Sequence, residues 1–473
     1  MSQRAPLDVD VLAAEFDDVD LGDARLTERL RRIVALAAVD PDDSFPEQMG
    51  SVADREALYR FLANEKVTLP GVLQGHLAQT HARLADHGVI RIVHDTTAFR
   101  FPGARTGLGV IRHGVRGFLG HVALAVAADE TRAPLGVLAV HPYIHADAVA
   151  HRGLTQTARM QATHAKPRAA KESARWERVA LQVAGALPTG VQAVHVMDQE
   201  ADDYDVLAAL HTAGQRYVIR ASPQRRTSPS RAPVHAVLAQ QPASLFRTVA
   251  LTPRSARESA RTKGRHPVRT DREATLQVRW AAVTLPRLWR TTAATPTVSL
   301  WAVHVWEPDP PAGEVRIEWM LLTSEPVHTE TDAATVVDHY RARWIIEEYF
   351  KALKTGCAFE KRQLTTFEGL VRALALFVPM AWQLLVLRHL GRAATPPPGS
   401  THFDAEQLHL LRKLLARRRH ALPAQPTMRD AMLGIAALGG HITNNGPPGW
   451  IVMGRGLARF LEAQVGWQLA REM

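Results

Sequence analysis

The 473-residue sequence predicts an α/β fold with helical units at both ends, and three observations carry that expectation. Apolar residues recur at helical spacing up to about residue 87 and again beyond about residue 392, while short apolar runs of strand length alternate with helical segments between them. Within that middle part, a stretch rich in Pro, Ser and Arg interrupts the alternation and carries β-like runs of its own. Hydrophobic residues make up 46% of the chain, enough for a large core divided among two to four structural units.

The N-terminal unit, residues 1–87, rests on LGDARLTERLRRIVALAA and REALYRFLANEKV, two segments of helical period separated by polar turns such as DPDDS. Such a unit reads either as a plain helical bundle or as a module that binds DNA ends, with Arg29 and Arg60 as phosphate contacts. From about residue 88, VIRIVHD, HVALAVAA and PLGVLAVH read as three successive strands, linked closely enough to pair antiparallel. ESARWERVALQVAGAL then reads as a helix and VQAVHVMD as a further strand. That order is the order of an RNase H-like core, a fold that by itself assigns no chemistry. After RYVIRAS, residues 223–316 read as a β-rich insertion in which ATLQVRWAAV and VSLWAVHVW alternate with basic loops such as SPQRRTSPSRAP and PRSARESARTKGRHPVRT. The core resumes at IEWMLLTS and continues with helices over about Ala333–Thr355 and Phe367–Leu390, so the middle unit spans 88–391. TPPPGS marks a linker, and residues 392–473 read as a helical unit with a stop at Gly439 and Gly440, the turn NNGPPG and a final amphipathic helix from about Trp450.

A single cysteine, Cys357, excludes an internal disulfide and a cysteine-based zinc cluster, which fits a reducing cytoplasm. The start, MSQRAPLDVDVL, has no apolar signal core. The longest apolar stretch, Ala373–Leu387, is interrupted by Pro379 and Gln383 and falls short of the roughly 20 residues that cross a bilayer, so it reads as a buried helix. The net charge of +10 favours a polyanionic partner, and its distribution sharpens the point. Between Arg220 and Arg290 stand 15 Lys and Arg against 3 Asp and Glu, so the basic excess belongs to one segment.

Three acidic residues are candidates for chemistry. Asp95 in VIRIVHDTTAF and Asp198 in VQAVHVMDQEADDYD each end an apolar strand, and two carboxylates at strand ends of one sheet can converge on a shared metal. Magnesium suits such a site because it prefers oxygen ligands and keeps positions open for water and phosphate. Taken singly, either Asp reads first as a turn residue or helix cap. The third carboxylate, Glu347, lies in HYRARWIIEEYFKALKTG, where a continuous helix at about 100° per residue would gather Tyr340, Arg343, Glu347 and Lys354 within an arc of roughly 60°. The same spacing makes Arg343–Glu347 an ordinary i,i+4 surface pair, and spacing leaves both readings open. His94 and His195, beside the acidic blocks, read as packing residues, because a hard oxygen site suits magnesium better than an imidazole site.

HDTT, then MDQEAD, then Tyr-x2-Arg-x3-Glu-x6-Lys resemble the three catalytic blocks of the insertion-sequence-four family of bacterial DDE transposases. The resemblance extends to LGDARLTERL, ALYRFLANEKV, IEWMLLTSEPV and GIAALGGHITNN, in the same order and over nearly the whole chain, and it includes a β-strand insertion between the second Asp and the Glu. It implies that Asp95, Asp198 and Glu347 hold two Mg2+ ions, with Mn2+ able to substitute. It further implies that Tyr340, Arg343 and Lys354 contact DNA near the cleavage site, that Trp319 stacks on a flipped nucleotide, and that Arg29 and Arg60 touch the end sequence. The insertion is richer in Arg and poorer in Lys than the family pattern, so its individual DNA contacts do not carry over.

The activity so implied is cut-and-paste transposition. One strand is cut at the transposon end, the freed 3′-hydroxyl attacks the opposite strand to form a hairpin, and the reopened end joins target DNA. Because two ends are joined together, a two-fold homodimer is expected, with the C-terminal helices as its contact. Two other classes stay open: a DNA-binding regulator that keeps the fold without catalysis, and a structure-specific nuclease that cuts without strand transfer.

Overall fold

Strand β1 (Val89–Arg100) organises the molecule, because it is apolar enough to be buried on both faces and long enough to serve two neighbours. The computed structural model describes residues 9–39, 44–112, 115–144, 155–251, 268–288, 291–442 and 446–472. The other strands in chain order are β2 (Gly109–Arg112), β3 (Val115–Ala127), β4 (Pro134–Tyr143), β5 (Gln192–Met197), β6 (Arg216–Arg220), β7 (Leu245–Leu251), β8 (Arg272–Pro286), β9 (Thr297–Trp306) and β10 (Glu318–Thr323). They form one sheet in the order β2-β3-β1-β5-β6-β10-β9-β8-β7, with β4 also paired to β3.

β1, β3 and β4 form an antiparallel meander, as their short links predict, and β5 and β6 then run parallel to β1. A parallel return needs a crossover, which the helix Ala174–Ala184 supplies between β4 and β5. β10 pairs antiparallel with β6, and the strands of the insertion, β7, β8 and β9, follow it outwards. The insertion is therefore a continuation of the core sheet. Of its two basic loops, SPQRRTSPSRAP lies within the described residues, whereas most of PRSARESARTKGRHPVRT lies outside them.

The helix expected over Ala333–Thr355 is interrupted. One helix spans Glu330–Arg341, a second spans Trp344–Lys351, and a π turn covers Ala352–Gly356. Between the two helices the amides of Ala342, Arg343, Ile345 and Ile346 each bond three residues back, so the backbone tightens into 3₁₀ geometry without leaving the right-handed helical region. The next helix, Phe367–Gly391, starts at the Thr366 cap, whose side chain accepts the Gly369 amide. Apolar on all sides, it is the central buried helix, and 89% of its most apolar window is inside the protein.

Of the N-terminal helices, Val9–Ala14, Val52–Ala63 and Leu69–Val72 pack against this central helix, Phe45–Gln48 meets it through the Phe45 and Phe377 rings, Gln74–Leu84 packs on β4 and meets it through His76 and Trp382, and Ala24–Val39 packs on the last helix, Trp450–Glu472. Arg372 fixes them there, with Nε donating to the Val67 carbonyl at 2.8 Å and Nη1 to that of Leu62 at 2.9 Å. On the same side pack Met428–Leu438 and Trp450–Glu472. One apolar core accordingly runs from Phe16 and Leu30 through Val93 and Leu374 to Ile435 and Phe460. A second core lies beneath part of the sheet, around Trp176, Tyr204, Leu207 and Tyr217.

Candidate active site

β1 does not end at Asp95, as the sequence suggests, but continues to Arg100 because β3 pairs with it as far as Gly117. Its parallel neighbour β5 stops earlier, at Met197, and the last registered pair is Val93–Val196. Two residues further along each strand stand Asp95 and Asp198. They lie on the same face where the two strands part, as parallel strands open a crevice at their C-terminal ends, near enough for Asp198 to act on Asp95 as a like charge. Asp198 also performs the capping role open to it, since its Oδ1 accepts the Glu200 amide at 2.8 Å and starts a 3₁₀ turn over Gln199–Ala201.

Glu347 comes from the other side of the crevice, on the helix Trp344–Lys351. Arg343, one turn earlier and buried, joins the acids: Nη1 donates to Asp95 Oδ2 at 3.2 Å and Nη2 to Glu347 Oε1 at 2.8 Å. Asp95 Oδ1 accepts the Thr96 amide at 2.7 Å. Burial pushes the Asp95 carboxyl up to about 7; Arg343 opposes that rise, and Asp198 and Glu347 add to it as like charges. Asp95 thus lies among two further carboxylates that disfavour its ionised form, with Arg343 as the opposing cation.

Despite the break in the helix, the remaining signature residues surround the same crevice. Tyr340 is fully buried, its ring 5.5 Å from that of Trp319 between centroids, and its hydroxyl pKa is raised by burial. Trp319 itself is half-buried on β10. Lys354 lies in the π turn and donates from Nζ to the Ala98 carbonyl at 2.6 Å, and burial lowers its ammonium to about 8. Arg29 and Arg60 lie away from these groups on the N-terminal helices; Arg29 is half-buried, and Arg60 is exposed and paired with Glu56 at 2.5 Å.

Oxygen donors, a crevice and a carboxyl with a raised pKa are the features a divalent cation fits. Among the described residues no three His, Cys, Asp or Glu side chains are already drawn into the compact arrangement of a filled metal centre. Asp95 and Glu347 are each paired with the guanidinium of Arg343 instead.

Behind the acids, on the opposite face of β1, His94 Nε2 and His195 Nδ1 lie 2.9 Å apart, fully buried. Burial holds both imidazoles below their usual pKa, His195 at about 4, which fits packing residues. Sequence reasoning missed Arg175, which donates from Nε to Thr96 Oγ1 at 3.2 Å and from Nη2 to Glu200 Oε2 at 2.8 Å. It thereby ties together the neighbours of Asp95 and Asp198. The available signal was an arginine on the apolar stripe of Trp176, Val179 and Val183.

Comparison with known families supplies the class of chemistry. A model described as "Transposase DNA-binding" matches residues 9–67, which include Arg29 and Arg60. A model described as "Transposase DDE domain" matches residues 156–380, which include Asp198, Glu347 and the signature helix but not Asp95. Among solved structures, a piggyBac transposase synaptic complex with hairpin DNA is similar at a TM-score of 0.37 and 11% identity, over 82% of this chain and 78% of that one. Enzymes with DDE domains use divalent metals. With a transposase DNA-binding module followed by a transposase DDE domain, the chain is a DDE transposase.

Proposed function

We propose that this enzyme is a cut-and-paste transposase of the insertion-sequence-four type, resembling the transposon-five transposase, with Asp95, Asp198 and Glu347 as its catalytic acids. The observation that carries this reading is that the guanidinium of Arg343 bridges Asp95 on β1 and Glu347 on the helix Trp344–Lys351, while Asp198, just past the end of β5, lies near enough to act on Asp95 as a like charge. The order β4-β3-β1-β5-β6, three antiparallel strands followed by two parallel ones, supports an RNase H-like core within residues 88–391. Residues 1–87 would then recognise transposon ends, and residues 392–473 would join two copies into the synaptic dimer.

Asp95, Asp198 and Glu347 would hold two Mg2+ ions, with Mn2+ as a substitute. When bound, such ions neutralise charge on the phosphodiester and make water a stronger nucleophile. The chain's own side chains do the rest. Tyr340, Arg343 and Lys354 would be the DNA contacts near the cleavage site, Arg343 and Lys354 offering cations to phosphate oxygens and the buried Tyr340 ring supporting Trp319 beside them. Trp319, with part of its ring uncovered, offers a face on which a flipped base can stack when the DNA end bends into a hairpin, worth about 1–3 kcal/mol. Arg29 and Arg60 present guanidinium groups to the end sequence from the N-terminal helices.

The test is cleavage in Mg2+ of a duplex bearing the inverted repeats that flank the gene. The wild-type enzyme is expected to cut the end and join its 3′-hydroxyl to target DNA. Asp95→Asn, Asp198→Asn and Glu347→Gln are each expected to lose about a thousandfold in cleavage, the several kcal/mol that metal-assisted charge stabilisation supplies, while still binding the duplex. Undiminished end cleavage by Asp95→Asn overturns the assignment, and cleavage without end joining by the wild type points to a nuclease instead.

A further inference from the structure

The carboxylates of the crevice are bridged by Arg343, and the geometry of that bridge has a use. Its guanidinium is buried, bonded at 3.2 Å to Asp95 Oδ2 and at 2.8 Å to Glu347 Oε1. An oxygen accepting an N–H has one of its lone pairs committed and its charge partly neutralised, which weakens it as a ligand, and a guanidinium and a divalent cation repel each other in a low dielectric. Arg343 and a metal therefore compete for the same two acids. The way out lies beside it: the guanidinium carbon sits 4.4 Å from the centroid of the Trp344 ring, which is 42% exposed. Glu347 is similarly open, with 40% of its side chain in solvent, so the bridge stands at the mouth of the crevice, where a DNA phosphate would arrive.

On the basis of the catalytic triad proposed above, we propose that Arg343 is an exchangeable counter-ion of the acidic cluster. It bridges Asp95 and Glu347 in the metal-free protein, yields both to the divalent cation, and pairs with a phosphate of the bound DNA end once released. Cation and DNA then promote each other's binding, because each removes a cost that the other would meet alone. By reciprocity, the factor by which DNA tightens metal binding equals the factor by which metal tightens DNA binding. The exchange also keeps the acids ordered before the cation arrives.

Titration of Mg2+ into the DNA-free full-length protein, followed by calorimetry and tryptophan fluorescence, tests this. Arg343→Gln is expected to bind Mg2+ about tenfold more tightly than wild type, because no charged hydrogen bond has to be given up. Arg343→Lys, which keeps the charge at one point only, is expected to fall between them. A duplex is expected to raise the Mg2+ affinity of the wild type but not of Arg343→Gln. Mg2+ is expected to shift the wild-type fluorescence through Trp344, so the shift disappears in both Arg343→Gln and Trp344→Phe. Mg2+ binding by Arg343→Gln that is equal to or weaker than wild type, or absent in both, overturns the proposal, since a purely structural arginine would give that result. Should Arg343→Gln fail to melt cooperatively, Arg343→Lys decides by the same criterion. Asp198→Asn separates the two readings: if it leaves Mg2+ affinity unchanged, the triad assignment fails, whereas if affinity falls but the Arg343 variants bind no tighter, only the exchange fails.

Discussion

Buried histidines make the folded chain sensitive to acid in a way that single residues explain. His76 is fully buried, its Nδ1 donating to Glu15 and its Nε2 accepting the Val137 amide at 2.9 Å, so both nitrogens are committed to the neutral ring. Burial lowers its pKa; Glu15 opposes that shift and Arg83 reinforces it. Burial likewise lowers His195 and His339 to about 4, His195 against the opposing influence of the Gln215 side chain and His339 together with the charge of Arg91. Each of these groups has a folded pKa below its unfolded one, so between about pH 6.5 and 4 the unfolded chain binds more protons. Stability therefore rises with pH in that window and is lost as pH falls, by up to about 1.4 kcal/mol per pH unit for each histidine. Glu15 acts in the same direction at lower pH, because its own folded pKa is depressed and its contribution disappears as it protonates. Thermal melts between pH 7.5 and 4.5 are expected to show a midpoint that falls continuously below pH 6.5, and a flat profile there would contradict the buried neutral rings.

At the scale of elements, glycines set how closely the C-terminal helices approach the site. A Cβ on Gly456 would lie 1.8 Å from the Ile435 carbonyl oxygen, and one on Gly439 would lie 1.9 Å from that of Val452, so the helices Met428–Leu438 and Trp450–Glu472 touch backbone to backbone. A Cβ on Gly454 would lie 2.1 Å from the carbonyl oxygen of Gly356, the last residue of the π turn that carries Lys354. Gly454→Ala is expected to push that turn, cost about 1–3 kcal/mol in stability, and lower end cleavage by up to about a hundredfold. Gly466→Ala, which meets nothing within 4 Å on the same helix, is the control and should leave both unchanged. Equal cleavage by the two variants would remove the C-terminal helix from control of the site. These close approaches also mark the limit of what sequence reveals. Strands such as β1, β3 and β5 were legible because alternation and β-branched content are local. The helix break at Ala342 and Arg343 was not, since neither residue is Gly or Pro and both keep right-handed backbone angles. The attachment of the insertion to β10 was not legible either, because strand pairing is decided by partners remote in sequence. The three acids could be singled out, but the bridging position of Arg343 depends on β1 and the signature helix meeting in space.

For the whole molecule, charge is separated more sharply than the net value suggests. The chain carries +10, yet the segment from Arg220 to Arg290 holds 15 basic against 3 acidic residues, leaving the remainder slightly acidic. Several cations of that segment are already committed within the protein: Arg225 to Asp202, Arg247 to Asp338 and Arg272 to Glu307. The Arg247 pair ties β7 to the helix Glu330–Arg341, the Arg272 pair closes within the insertion, and cations so paired contribute little to an external field. Within the loop sequence PRSARESARTKGRHPVRT, residues 254–265 hold Arg254, Arg257, Arg261, Lys263 and Arg265 with only Glu258 among them, so this is the part of the insertion with the largest charge excess for a polyanion. Replacing those five residues by Gln is expected to weaken DNA binding at low salt and to reduce the slope of log affinity against log salt by about 0.9 for each phosphate that is no longer neutralised. The measurement is a salt series of duplex binding by wild type and variant. An unchanged slope would mean that the phosphates are neutralised elsewhere, with the N-terminal helices bearing Arg29 and Arg60 the next surface to test.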